Sequence, residues 1–202
     1  MRAEGLVKQE HILDAAIKRF SHFGVNKTTL TEIADDLSIS KALLFYYYND
    51  KNSLIAAVAE KIINETLQGF QVAFESAESI EQGILSIVEV KRSFFKKYFL
   101  LAIQGESIDL NKVSTLISEI FNKAKRNTEA LLTAFLDKGV EEKVLKPIDT
   151  KKTSILMLET LAAFEYFIKG RKAVPELQEI DEMFDKQKDV LLMFLNGIKK
   201  MG

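Results

Sequence analysis

The feature that most constrains the fold is the spacing of the apolar residues, which recur at three- and four-residue steps with no alternating run of the kind a half-buried strand needs. Leu13, Ala16, Ile17, Phe20 and Phe23 form one such stripe, and Gly24 follows where a left-handed cap can end it, so a first helix is predicted near 6–23. Thr29 and Glu32 have the spacing of a capping box ahead of Ile33, Ala34 and Leu37, which marks a short second helix. Ser38-Ile39-Ser40 interrupts it; Ser40 can cap a third helix over about 41–47, and Asp50 a long fourth one to about 74. Two short helices joined by a three-residue turn make a helix-turn-helix pattern. Ser79 and Gln82 repeat the capping spacing before a fifth helix, and a long amphipathic stretch from about Asn111 to Lys138 closes at Gly139. Pro147 and Asp149 mark a loop, a helix follows from about 150 to 169, and Pro175 sits in the first turn of a last one ending near 199. The expectation is an all-α protein of about nine helices and no sheet.

The 202 residues suffice for one large or two small domains. The absence of Cys excludes disulfide scaffolds, Cys-ligated zinc, iron–sulfur clusters and thiol nucleophiles together. His11 and His22 are the only histidines and lie about three helical turns apart, too far to share a metal. There is no glycine-rich phosphate loop either, so no catalytic group, metal or cofactor is expected. The longest apolar runs, such as Tyr98 to Ile103 and Leu191 to Leu195, fall short of the roughly 18 residues of a membrane span, and the first residues carry no apolar signal core. Cytoplasmic placement without membrane contact is the expectation. Formal net charge is −1, and residues 1–54 hold seven basic against seven acidic side chains, so any contact with nucleic acid must rest on local charge arrangement.

Ile12, Ala15-Ala16, Phe20, Gly24, Thr28-Thr29, Ile33-Ala34, Ser40-Lys41, Leu44-Phe45-Tyr46-Tyr47-Tyr48, Lys51 and Leu54 together resemble the DNA-binding domain of the TetR family of bacterial transcriptional regulators. The resemblance spans residues 12–54 and departs from the family pattern at Ala42 and Ser38, where Gly is usual, and at Phe45, where Tyr is usual. It implies an N-terminal helix-turn-helix domain over 1–50 and a helical ligand-binding and dimerisation domain over 51–202, acting as a repressor released by a small molecule. A third helix of about seven residues fits a major groove roughly 12 Å wide, and its first residues, Lys41, Ala42 and Leu43, are those placed to reach base edges. Thr28, Thr29, Ser40, Tyr46, Tyr47 and Lys51 surround it as phosphate donors, with Thr29 equally suited to capping alone and Tyr48 assigned to the core. One such helix contacts few base pairs, whereas two related by a twofold axis read a palindrome, so a homodimer on an operator duplex is expected.

In the second domain, Phe70, Phe94, Phe95, Tyr98, Phe121, Phe135, Met157 and Phe164 are expected to line an apolar cavity for a small-molecule effector, with Gln104, Glu159 and Glu165 orienting the ligand. The competing reading is that these aromatics only fill core and the glutamates face solvent. Leu161, Ala162, Phe164, Leu177, Ile180, Phe184, Leu191 and Phe194 are expected to supply the dimer interface, against the alternative that many fill the monomer core. A rival function keeps the fold but binds a protein partner or carries a ligand without reading DNA.

Overall fold

Gly24 turns the chain out of α1 (Arg2–Phe23) at φ 84, and its N–H donates to the Phe20 carbonyl at 3.0 Å, so the left-handed cap stands where the sequence puts it. The computed structural model describes residues 2–99, 101, 115–169 and 176–200. Helix α2 (Leu30–Asp36) opens on a complete capping box: the Glu32 N–H donates to Thr29 Oγ1 at 3.3 Å, and the Glu32 carboxylate accepts the Thr29 N–H at 2.7 Å. That backbone hydrogen bond is the main reason the Glu32 carboxyl lies below its usual range. Helix α2 ends in a paired turn in which Ser38 N–H donates to Asp35 O and Ile39 N–H to Ala34 O, both at 3.0 Å. This turn requires a left-handed residue, and Ser38 supplies it at φ 53. Helix α3 (Lys41–Tyr47) follows, capped by Ser40, and α4 (Lys51–Glu75) starts where Asp50 Oδ1 accepts the Ser53 N–H at 2.7 Å.

The remaining elements are α5 (Ile80–Lys97), α6 (Thr115–Glu141), α7 (Thr150–Lys169) and α8 (Leu177–Ile198). The described residues thus hold eight helices, close to the nine expected, and no strand beyond an isolated antiparallel bridge between Leu145 and Lys199. Gly139 does not close its helix as the sequence reading has it. The helix runs on to Glu141, Lys143 takes the left-handed position at φ 61, and the Val144 N–H returns to Gly139 O. Gly139 is used for close packing instead: a Cβ there would stand 2.8 Å from Ile80 Cδ1 and 2.9 Å from Leu145 Cδ1. Gly170 and Pro175 lie outside the described residues.

The chain divides into two compact units, one of Met1–Asn64 with Lys97–Asn122 and the other of Glu65–Lys96 with Lys123–Gly202. This differs from a boundary at residue 50, and the packing gives the reason. Leu54 and Val58 of α4 join Ile12, Ala16, Phe20, Ile33, Leu44 and Tyr48 in one buried cluster, so a cut before α4 would open the N-terminal core. In the second unit Ile84, Leu132, Leu136, Met157, Leu161, Phe184 and Leu191 are fully buried. Phe135 stacks on Phe74 at 4.7 Å between centroids and fills the space beside Gly83, where a Cβ would fall on its ring edge.

Three stability outcomes follow. Ser38→Gly is expected to raise stability by up to about 1 kcal/mol, because relief of the left-handed strain exceeds the extra entropy glycine gives the unfolded chain, whereas Ser38→Val should cost more than about 1 kcal/mol. Gly83→Ala forces a buried aromatic stack to move and should cost about 1–3 kcal/mol. Urea denaturation followed by circular dichroism measures all three.

Candidate nucleic-acid interface and regulatory core

Helix α3 is held from behind. Leu44 is fully buried, Tyr48 nearly so, and burial pushes the Tyr48 phenol pKa up, while Ser40 Oγ accepts the Leu43 N–H at 3.1 Å. What remains outward is the predicted reading surface: Ser40, Lys41, Ala42 and Tyr46 are exposed, and Leu43 and Tyr47 half-buried. Tyr46 is 79% exposed and meets Tyr47 edge-on at 5.3 Å. Phe45 is exposed as well, with the Lys41 ammonium 5.9 Å from its ring centroid, a cation–π distance that braces the lysine at the start of the helix. Phe45 has no hydroxyl to offer a phosphate, and its place one residue from buried Leu44 turns it outward.

Thr28 departs from the phosphate role expected of it, and Thr29 takes the capping role that was its alternative. Thr28 is 1% exposed and its hydroxyl donates to Gly24 O at 2.9 Å, closing the end of α1, while the Thr29 hydroxyl donates to the Glu32 carboxylate at 2.8 Å. Both set the α1–α2 turn. Lys51 is half-buried and its Nζ donates to Asn26 O at 3.2 Å, with burial lowering its pKa. It therefore ties the start of α4 to that same turn. Lys27, the exposed neighbour of Asn26, is a cation the sequence reading counted but did not place.

The neutral charge of the first 54 residues is unevenly spent. Arg19 bonds Asp36 at 2.8 Å and Glu32 at 3.0 Å, and the Asp36 hydrogen bond is the chief cause of its raised pKa. Lys61 of α4 pairs with Glu10 and with Asp14 at 3.4 Å, and the Glu10 hydrogen bond holds its pKa well above the usual value. Four carboxylates thus share two cations, one on α1 and one on α4. Lys27 and Lys41 stand exposed beside α2 and on α3 and are the cations placed to meet a polyanion there.

In the second unit, Phe70, Phe135 and Met157 are buried, Phe94, Phe95, Phe164 and Glu165 half-buried, and Phe95 meets Phe184 at 5.9 Å. Glu159 is exposed and pairs with Lys125 at 3.1 Å, which corrects its expected ligand role: it sits on the solvent side of α7. Tyr98 and Phe121 belong to the first unit, where Tyr98 is buried under the Lys97 ammonium and Phe121 is 54% exposed rather than lining an interior. Gln104 lies outside the described residues.

Half of the interface set takes its alternative role as monomer core. Leu161, Ile180, Phe184 and Leu191 are buried within the single chain, because α7 and α8 turn this stripe onto each other and the core. Ala162, Phe164 and Phe194 are half-buried, and Leu177 is exposed. The outward apolar residues on α7 and α8 that the periodicity missed are Leu156, Tyr166, Phe167 and Met193, the last 72% exposed. Among the described residues no cluster of His, Asp and Glu is arranged to hold a metal, and no helix is long and apolar enough to cross a membrane.

Residues 12–58 match the family described as bacterial regulatory proteins, tetR family. The transcriptional regulator RutR of Escherichia coli strain K12 is 25% identical over 200 residues, covering 95% of this chain and 91% of its own. A transcriptional regulator from Cytophaga hutchinsonii shares the fold with a TM-score of 0.85 at 23% identity, over 96% of this chain and 99% of that one. A TetR-family regulator from Pectobacterium atrosepticum does so with a TM-score of 0.76 at 20% identity, over 100% and 98%. The matched segment contains the whole capped helix-turn-helix and its buried anchors, so residues 12–58 are a helix-turn-helix domain of the TetR family of DNA-binding transcriptional regulators, in a chain that shares its fold with regulators of that family.

Proposed function

We propose that the protein is a repressor, not an enzyme, that binds a palindromic operator as a homodimer in the cytoplasm and is released by a small apolar or amphipathic molecule. The observation that carries the reading is the outward face of α3, where Lys41 and Ala42 stand exposed on a helix whose opposite side is locked by Leu44 and Tyr48. A rigid short helix with an exposed N-terminal turn suits direct readout: the Lys41 ammonium can donate to guanine O6 or N7, and Ala42 and Leu43 can meet thymine methyl groups. Ser40, Tyr46 and Tyr47 are the hydroxyl donors left to hold register on phosphates, with Lys27 and Lys51 adding charge at the α1–α2 turn.

Dimerisation is assigned to the outward apolar side of α7 and α8, through Leu156, Tyr166, Leu177 and Met193. Twofold pairing then sets the two α3 helices about one DNA turn, roughly 34 Å, apart. An effector held in the second unit would favour a dimer with the wrong spacing, and a coupling of about 1–3 kcal/mol weakens operator affinity about 5- to 150-fold.

Selection from a random duplex pool should return palindromes whose binding falls steeply with salt. In that assay Lys41→Ala should relax base preference at one position per half-site by about 1–3 kcal/mol, while Tyr47→Phe should weaken all sequences alike. Unchanged selectivity in Lys41→Ala would remove the base-reading role. Sedimentation at micromolar protein should give about 46 kDa, twice the chain's 22.9 kDa, and Met193→Asp should shift the equilibrium toward monomer. A wild-type monomer would contradict the palindrome argument.

A further inference from the structure

The described residues bury three polar or charged side chains in full, and two of them are satisfied locally. Thr28 donates to Gly24 O and Ser154 to Thr150 O, each one turn back. Gln187 is the third. Its Nε2 donates to Leu161 O at 2.8 Å and lies 3.4 Å from Glu165 Oε1, and since both are acceptors the amide can only be oriented with its nitrogen toward them. The carbonyl Oε1 is then a buried acceptor that no donor among the described residues reaches. Such a group costs as much as a lost hydrogen bond, and native interiors seldom leave it unmet.

The surroundings define what would meet it. Phe184 and Leu191, three and four residues away on the same face of α8, are fully buried, as are Met157 and Leu161 on α7. Glu165 is already balanced by Lys91 of α5 at 2.5 Å, so the cluster offers no uncompensated negative charge to a cation. We propose that Gln187 is the polar anchor of the effector site and that the effector carries a neutral hydrogen-bond donor, a hydroxyl or an amide N–H, on an apolar body. This rests on the reading of the protein as a ligand-released regulator. The Gln187 carbonyl accepts the donor, and Glu165 with its Lys91 partner holds the amide so that the carbonyl faces it. A molecule of the same shape that offers only an acceptor brings two lone pairs together and is rejected.

The test uses the full chain with octan-2-ol and octan-2-one, which share a skeleton and differ in the donor. Isothermal titration should show the alcohol bound about tenfold more tightly than the ketone by wild type, and the preference should vanish in Gln187→Met and Gln187→Leu, whose helix content is checked by circular dichroism. Equal affinity for the two probes in wild type, no binding of the alcohol at millimolar concentration, or a preference that survives both substitutions overturns the proposal. The wild-type comparison decides even if neither variant folds. Should some other compound release wild type and Gln187→Met alike from the selected duplex, the anchor is wrong while the ligand-released regulator stands.

Discussion

A helix of seven residues has almost no stability of its own, since the unfavourable first turn is hardly repaid before the helix ends. Everything α3 can do therefore depends on what holds it in place: Leu44 and Tyr48 packed behind it, Ser40 capping its start, and the left-handed turn at Ser38 setting its direction from α2. The same buried cluster takes in Leu54 and Val58 of α4. The reading helix and the first half of α4 thus share one core, and a change in where α4 begins is felt at the seat of α3.

Charge does its work by subtraction. Arg19 and Lys61 hold four carboxylates on or behind α1 and α2, and each pair is surface-exposed enough that its share in stability is small. Their larger effect is on the field. A cation at hydrogen-bond distance weakens the field of the carboxylates it holds, and salt screens the remainder beyond about a Debye length, roughly 8 Å at physiological ionic strength, which leaves the exposed ammoniums of Lys27 and Lys41 open to a polyanion.

The helix-turn-helix was legible because each of its boundaries rests on a local residue with one dominant use: Gly24, Thr29 with Glu32, Ser40 and Asp50 all cap as their chemistry requires. Gly139 misled because a glycine near a helix end serves either a left-handed turn or a close approach, and only the positions of Ile80 and Leu145 decide between them. Thr28 was read as an outward donor because burial of a threonine whose hydroxyl returns one turn leaves no mark in the sequence. The second unit was harder still. Three- and four-residue spacing finds the stripe a helix turns inward, which is why Leu161, Ile180, Phe184 and Leu191 were found and then proved to be core, whereas Leu156, Tyr166, Phe167 and Met193 stand outward among polar residues.

Gln187 stood on that inward stripe all along, three residues after Phe184 and four before Leu191. A lone amide among apolar neighbours carries more information than the neighbours do, because apolar packing tolerates exchange at constant volume while a buried amide demands particular partners. Two acceptors fix its nitrogen, so its carbonyl discriminates between donors and acceptors, a distinction no aromatic wall can make. A binding event shifts a conformational equilibrium only by the difference in its free energy between the two states, and a hydrogen bond to one buried atom changes steeply with small displacements of α7 against α8. An effector that owed its affinity to aromatic area alone would bind nearly as well after such a displacement and would regulate nothing; one that depends on the Gln187 carbonyl would not.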